Sequence, residues 1–147
     1  MKKILLITTC SLLLFIYSIP SYADERYYHP SEYSKEEVLM DLFLSLLSPH
    51  IDHAVSDFYS NLLTESPMVY PYQISILNMK RIGQYRSFEF SMTIEVTPVV
   101  GPHIAVGKDH LTFYIAPGVV TLTKFKHLES YELPPNWRDI IKKKNNS

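Results

Sequence analysis

The clearest pattern along the chain is a two-residue alternation. Phe88, Phe90, Met92, Ile94 and Val96 fall on one side of it, and Glu89, Ser91, Thr93, Glu95 and Thr97 on the other. A strand with one buried and one solvated face produces this period. Shorter alternations flank it. Over residues 72–82, Tyr72, Ile74 and Ile76 alternate with Gln73, Ser75 and Leu77, and Gly83-Gln84 then marks a turn. Downstream, Leu111, Phe113 and Ile115 alternate with Thr112 and Tyr114. Ala116-Pro117-Gly118-Val119 has the chemistry of a type II turn, because proline presets one dihedral and glycine tolerates the positive φ that follows. Val120 and Leu122 open a fourth strand, whose register shifts near Lys124-Phe125 as at a bulge.

Upstream the period lengthens to three and four. Ser34-Lys35-Glu36-Glu37 has the form of a capping box. Val38, Leu39, Leu42, Phe43, Leu46 and Leu47 then recur at helical spacing. Ser48-Pro49 predicts either a second helix start or a kink, and Ile51, Val55, Phe58 and Leu62 continue the stripe. One helical unit followed by four strands predicts an α+β fold. The simplest assembly is an N-terminal helix, or a kinked helix pair, packed on the apolar face of a four-stranded antiparallel meander. Cystatin-like and nuclear-transport-factor-like folds share that outline, and the outline alone fixes no function.

The ends change the picture by setting a compartment. Met1-Lys2-Lys3 is a basic start, residues 4–19 are apolar, and Pro20 precedes the small-residue site Ser21-Tyr22-Ala23. This is the layout of a secretory signal peptide cut after Ala23, and its apolar run falls short of the ~20 residues of a spanning helix. The protein is therefore expected to be secreted or held at the cell surface, meeting the membrane only through its leader during export. Cys10 is the only cysteine and lies in that leader, so the mature chain has neither disulfide nor thiolate chemistry. Residues 24–33 read as an N-terminal arm, 34–135 as one domain and 136–147 as a basic tail ending in Lys142-Lys143-Lys144. Losing Lys2 and Lys3 takes the formal net charge from −1 to about −3, which argues against a nucleic-acid partner.

Candidate chemistry is sparse. The stretch 98–110 carries Pro98, Gly101, Pro102 and Gly107, and reads as a loop of about ten residues, long for a hairpin. His103, Lys108, Asp109 and His110 are its binding candidates, and an Asp–His pair is able to orient an imidazole for proton transfer. The simpler reading is a long turn whose polar groups satisfy its own backbone. His50, His53 and Asp57 fall on one side of a helix, a donor set suited to a divalent metal. Their spacing matches no dedicated motif, and the solvated flank of the helix explains them equally. The lysine tail is a further charge-contact candidate, short for a lipid-binding cluster. No cofactor is implied.

Three stretches carry a resemblance. E-V-T-P-V-V-G-P-H-I-A-V-G-K-D-H-L-T-F (95–113) is similar to the signature of a family of small exported proteins from spore-forming Gram-positive bacteria, domain of unknown function 3888. L-L-S-P-H-I-D-H-A-V-S-D-F-Y (46–59) and K-F-K-H-L-E-S-Y-E-L-P (124–134) resemble the same family. Many members place Asn-Pro after the histidine where this chain has Ile104-Ala105. The resemblance implies an exported α+β domain and assigns no reaction and no catalytic residues.

These readings converge on a non-catalytic binding module outside the cytoplasmic membrane, with a protein, a wall polymer or a small ligand as partner. The contact surface would be the 98–110 loop, or secondarily the arm at Arg26-Tyr27-Tyr28-His29. The alternative is a metal-dependent or histidine-based hydrolase using His50, His53 and Asp57, or Asp109-His110. The leader is tested by N-terminal sequencing of protein recovered outside expressing cells. The expected first residue is Asp24; a chain still starting at Met1 contradicts the cleavage.

Overall fold

A computed structural model describes residues 27–28 and 30–143; the expected leader, Arg26 and His29 of the arm, and Lys144 lie outside the described residues. A helix α1 (Lys35–Tyr59) is followed by strands β1 (Ile74–Ile82), β2 (Glu89–Val96), β3 (Val99–Val100), β4 (Ile104–Ala105), β5 (Gly107–Ala116) and β6 (Val119–Ser130). Short 3-10 turns lie at Pro71–Gln73 and Pro135–Ile140. Strands β1, β2, β5 and β6 form an antiparallel meander in that order, and β3 and β4 form a separate two-stranded hairpin. The helix packs on the apolar face of the meander, so the predicted α+β architecture is the observed one.

Ser34 caps α1 by accepting from the Glu37 N–H at 3.1 Å, while the Glu37 carboxylate accepts from the Tyr33 N–H at 2.6 Å. Pro49 sits inside one continuous helix and does not start a second one. It has no N–H for the usual bond to the carbonyl one turn back. In the same turn the Ser48 hydroxyl bonds back to the Leu44 carbonyl at 3.1 Å. The buried side of α1 is Leu44, Leu47, Ile51, Ala54, Val55 and Tyr59. Val38, Leu39, Leu42 and Leu46, expected in the core stripe, are exposed. The first half of α1 thus carries an apolar side away from the sheet as well as the side that Leu44 and Leu47 bury.

The core is the alternation made solid. Ile76, Met92, Ile94, Val96, Leu111 and Phe113 are buried under Ile51, Ala54 and Val55. Each of these side chains other than Ala54 contributes about 1.5–3 kcal/mol by leaving water. On the other face Thr93 and Thr112 hydroxyls meet at 3.1 Å and the Tyr114 hydroxyl donates to Glu89 at 2.9 Å. The β5–β6 turn is the expected Pro117-Gly118 pair, with Gly118 at φ +75°. The register shift expected near Lys124-Phe125 falls one residue earlier: Thr112 pairs with Lys124 but Phe113 with Leu122, so Thr123 is the extra residue.

Two segments differ from the sequence reading. Residues 98–110 do not form one loop. Val99 and Val100 pair with Ala105 and Ile104, and β5 already begins at Gly107, so Lys108, Asp109 and His110 are strand residues. The described part of the expected basic tail is packed. Ile140 is buried, Leu63 bridges to Ile141, and the Lys142 N–H donates to the Leu62 carbonyl at 2.8 Å. The Trp137 ring lies on Gly101, where an added Cβ would come within 2.1 Å of it. Gly101→Ala therefore meets both that ring and a left-handed φ of +47°. It is expected to lower stability by about 1–3 kcal/mol in urea titration. Gly118→Ala, with open space around its Cβ, should cost no more than about 1–2 kcal/mol from the positive φ alone. Equal losses at the two sites would contradict the Trp137 contact.

Candidate functional site

The site grows from one charged residue at a core position. Asp109 precedes Leu111 and Phe113 by the two-residue period, so its side chain points under the helix, where it is fully buried. A buried carboxylate is tolerated only when its oxygens are bonded. The Tyr59 hydroxyl, from the last turn of α1, donates to Oδ2 at 3.0 Å. His127 of β6 holds Oδ1 at 2.6 Å through Nδ1. The other ring nitrogen of His127, Nε2, lies 2.7 Å from the Ser130 hydroxyl. Among the described residues no buried side-chain polar atom is left without a partner.

Local sequence explains how these groups meet. Asp109 pairs with His127, Lys108 with Glu129 and Gly107 with Ser130, so Leu128 is an extra residue in β6. Strict alternation would send residues 127 and 130 to opposite faces; the bulge returns both to the helix-facing side. Gly107 supplies the space. A Cβ there would lie 2.4 Å from the Tyr59 hydroxyl oxygen, 2.6 Å from the Glu129 carbonyl oxygen and 3.1 Å from His127 Cε1. Phe58 stacks on Phe125 with centroids 4.6 Å apart and sits 5.0 Å from the His127 ring, which fixes the imidazole from its second side.

Burial pushes the Asp109 carboxyl above its ordinary value, against the hydrogen bonds from His127 and Tyr59 and the charges of His127 and His110. Burial likewise pushes the Tyr59 phenol up, helped by the Asp109 charge and their hydrogen bond. Beside this cluster opens a cleft of about 680 Å³. Leu62, Val106, Leu133 and Ile141 supply apolar walls, Ser130 and Tyr131 line one side, and Lys142 and Lys143 another. The C-terminal segment forms that last wall, with the Lys142 ammonium donating to the Ser60 carbonyl at 2.5 Å.

The four loop candidates part company. Asp109 belongs to the buried cluster. Lys108 and His110 face the opposite side of the sheet, where Glu95 receives His110 Nε2 at 3.0 Å and Lys108 Nζ at 3.5 Å; the Tyr27 hydroxyl from the arm donates to the same carboxylate at 3.2 Å. Burial opposes ionisation of Glu95, but the His110 hydrogen bond, Lys108 and Tyr27 together hold its pKa below the ordinary value. His103, at φ +62°, lies at the β3–β4 turn with Nδ1 2.8 Å from the Tyr72 hydroxyl. His50, His53 and Asp57 border a groove of about 600 Å³ between α1 and β6. His53 and Asp57 approach to 3.3 Å but are largely exposed. Among the described residues no three His, Cys, Asp or Glu side chains are grouped to hold a metal. His127, Ser130 and Tyr59 were not singled out from the sequence, although G-x-D in register with an apolar face was a usable signal for a buried carboxylate.

Fold and site together define an α+β domain in which a helix closes a four-stranded antiparallel sheet over a buried aspartate, beside an open cleft. The chain belongs to the family described as protein of unknown function (DUF3888), whose model matches residues 39–129. Tyr59, Asp109 and His127 lie inside that match. No curated protein matches the chain, and no solved structure does.

The buried cluster makes a pH prediction. Tyr59 holds its proton more tightly folded than unfolded. Its contribution is thus complete below the ordinary phenol value of 10.0 and is lost as pH rises beyond it. Tyr59→Phe should lower stability near neutrality by about 1–3 kcal/mol, the cost of leaving Oδ2 without its donor, and should flatten the fall in stability above pH 10.0. Urea titrations at neutral and alkaline pH check both; an unchanged alkaline slope contradicts the assignment.

Proposed function

We propose that this protein is a binding module acting outside the cytoplasmic membrane, and that it holds a small anionic amphiphile in the cleft between the end of α1 and the C-terminal segment. One observation carries the reading: apolar walls from Leu62, Val106, Leu133 and Ile141 share one cavity with Lys142 and Lys143. A site of this size class takes a small ligand. Each methylene it removes from water contributes about 0.8 kcal/mol, and an ammonium at the rim favours a carboxylate or phosphate head. A hydrated wall polymer would leave the apolar walls unused. The leader-like residues 1–23 support action outside the membrane.

The 98–110 loop gives way to the cleft as the contact surface, because its polar groups are divided among three places. The metal-dependent alternative lacks a three-residue ligand set among the described residues.

Titration with a naturally fluorescent eighteen-carbon fatty acid tests the reading. Saturable binding with one site per chain is expected. Leu62 is partly exposed at 42%, so Leu62→Glu should keep the fold while weakening binding at least tenfold. Lys143→Glu should weaken binding less and reduce its salt dependence. Absence of saturable binding, or equal binding by Leu62→Glu, contradicts the proposal.

A further inference from the structure

The hydrogen-bonded chain Asp109–His127–Ser130 ends on the wall of the cleft, and its order carries a chemical meaning. His127 Nδ1 lies 2.6 Å from Asp109 Oδ1, and against a carboxylate oxygen, which accepts, that nitrogen is the donor. With Nδ1 as donor, the lone pair of the ring lies on Nε2, and Nε2 is the atom that meets the Ser130 hydroxyl at 2.7 Å. Burial falls along the chain in the direction that nucleophilic catalysis requires. The Asp109 side chain is fully buried and that of His127 is 24% exposed, while Ser130 is exposed and lines the cleft. A serine hydroxyl is a weak nucleophile unless an adjacent base takes its proton, and a base works best when a third group orients it. All three relations are present here, on strand positions stiffened by the sheet and brought to one face by the Leu128 bulge.

The other titratable clusters lack this combination. Glu95, His110 and Lys108 gather on the other face of the sheet, where the hydroxyl bonded to Glu95 is the Tyr27 phenol. His53 and Asp57 are solvated and unsupported. The His103–Tyr72 pair is exposed, and a phenol is its only hydroxyl.

We propose that Ser130 is an acyl-accepting nucleophile, activated by His127 and oriented through Asp109, whose substrates are esters of acyl chains that occupy the cleft. The substrate class rests on the cleft reading above; the nucleophile does not. Ser130 Oγ bonds to the ester carbonyl carbon while its proton passes to His127 Nε2. The carbon–oxygen bond to the leaving alcohol then breaks, and His127 returns that proton to the departing oxygen. A water, deprotonated by the same nitrogen, attacks the acyl-serine, releasing the acid and restoring the Ser130 hydroxyl. Asp109 acts throughout as a positioning residue for the imidazole, and Lys142 and Lys143 place positive charge on the same cleft.

Two fluorophosphonates, one with a short ethyl arm and one with a long alkyl arm, test this by intact mass and peptide mapping. Labelling of Ser130 is expected in the unaltered protein, with none at that position in Ser130→Ala, whose exposed site keeps the fold intact. His127→Gln should slow labelling at least 100-fold, within the range that a general base supplies. Far-ultraviolet circular dichroism of His127→Gln should match that of the unaltered protein, which separates loss of the base from loss of the fold. No adduct on Ser130 with either probe overturns the nucleophile. Adduct formation at equal rates with both probes supports the nucleophile and overturns the acyl-chain occupant.

Discussion

The arrangement turns on a carboxylate placed where an apolar side chain would otherwise be. Removing an ion from water costs several kcal/mol even after relaxation, and a hydrogen bond to a charged group returns roughly 1.5–3 kcal/mol. Asp109 is tolerable only while Tyr59 and His127 both hold it. That demand reaches across the fold. The last turn of α1 must end over β5, because Tyr59 is its final residue. Strand β6 must carry an extra residue at Leu128, and position 107 must lack a side chain. Bulge, glycine and helix terminus are one device, and Leu47, Ile51 and Val55 supply the apolar burial that anchors it.

The cleft follows from the same placement. With α1 ending at Tyr59, the chain turns back through Leu62 and Leu63, and the C-terminal segment pairs with it there. Leu63 with Ile141, the Lys142 N–H on the Leu62 carbonyl and Trp137 against Gly101 are among the contacts that hold that segment. The cavity is therefore bounded by the end of α1 and the C-terminal segment, with Ser130 on one side. A ligand held there lies against Ser130, and the cleft and the hydrogen-bonded chain form a single site.

Much of this architecture was legible in the sequence. Strand β2 was read almost to its limits because one face is wet and the other dry along its whole length. The β5–β6 turn was legible because proline and glycine each demand one conformation. The helix was found, and Leu47, Ile51 and Val55 were read onto its buried side; in its first half Leu39, Leu42 and Leu46 are as apolar as Leu44 and Leu47, and only the sheet decides between them. Lys108, Asp109 and His110 were assigned to a loop because two glycines and two prolines precede them; yet Gly107 is a strand residue, kept small by Tyr59 rather than by a turn. His127 and Ser130 were hidden by the bulge, since alternation alone places them on opposite faces. The packing of Trp137 depends on a tertiary contact with Gly101 that no local pattern records.

Asp109 is placed to fix His127 as the Nδ1–H tautomer, with Nε2 directed at Ser130. Nitrogen-15 correlation spectra of the histidine rings near neutral pH test it most directly. The expected result is a protonated Nδ1 on His127 with a strongly downfield proton, an unprotonated Nε2, and loss of that proton signal in Asp109→Asn. A His127 ring that is protonated on Nε2, or that exchanges freely between tautomers in the unaltered protein, would contradict it.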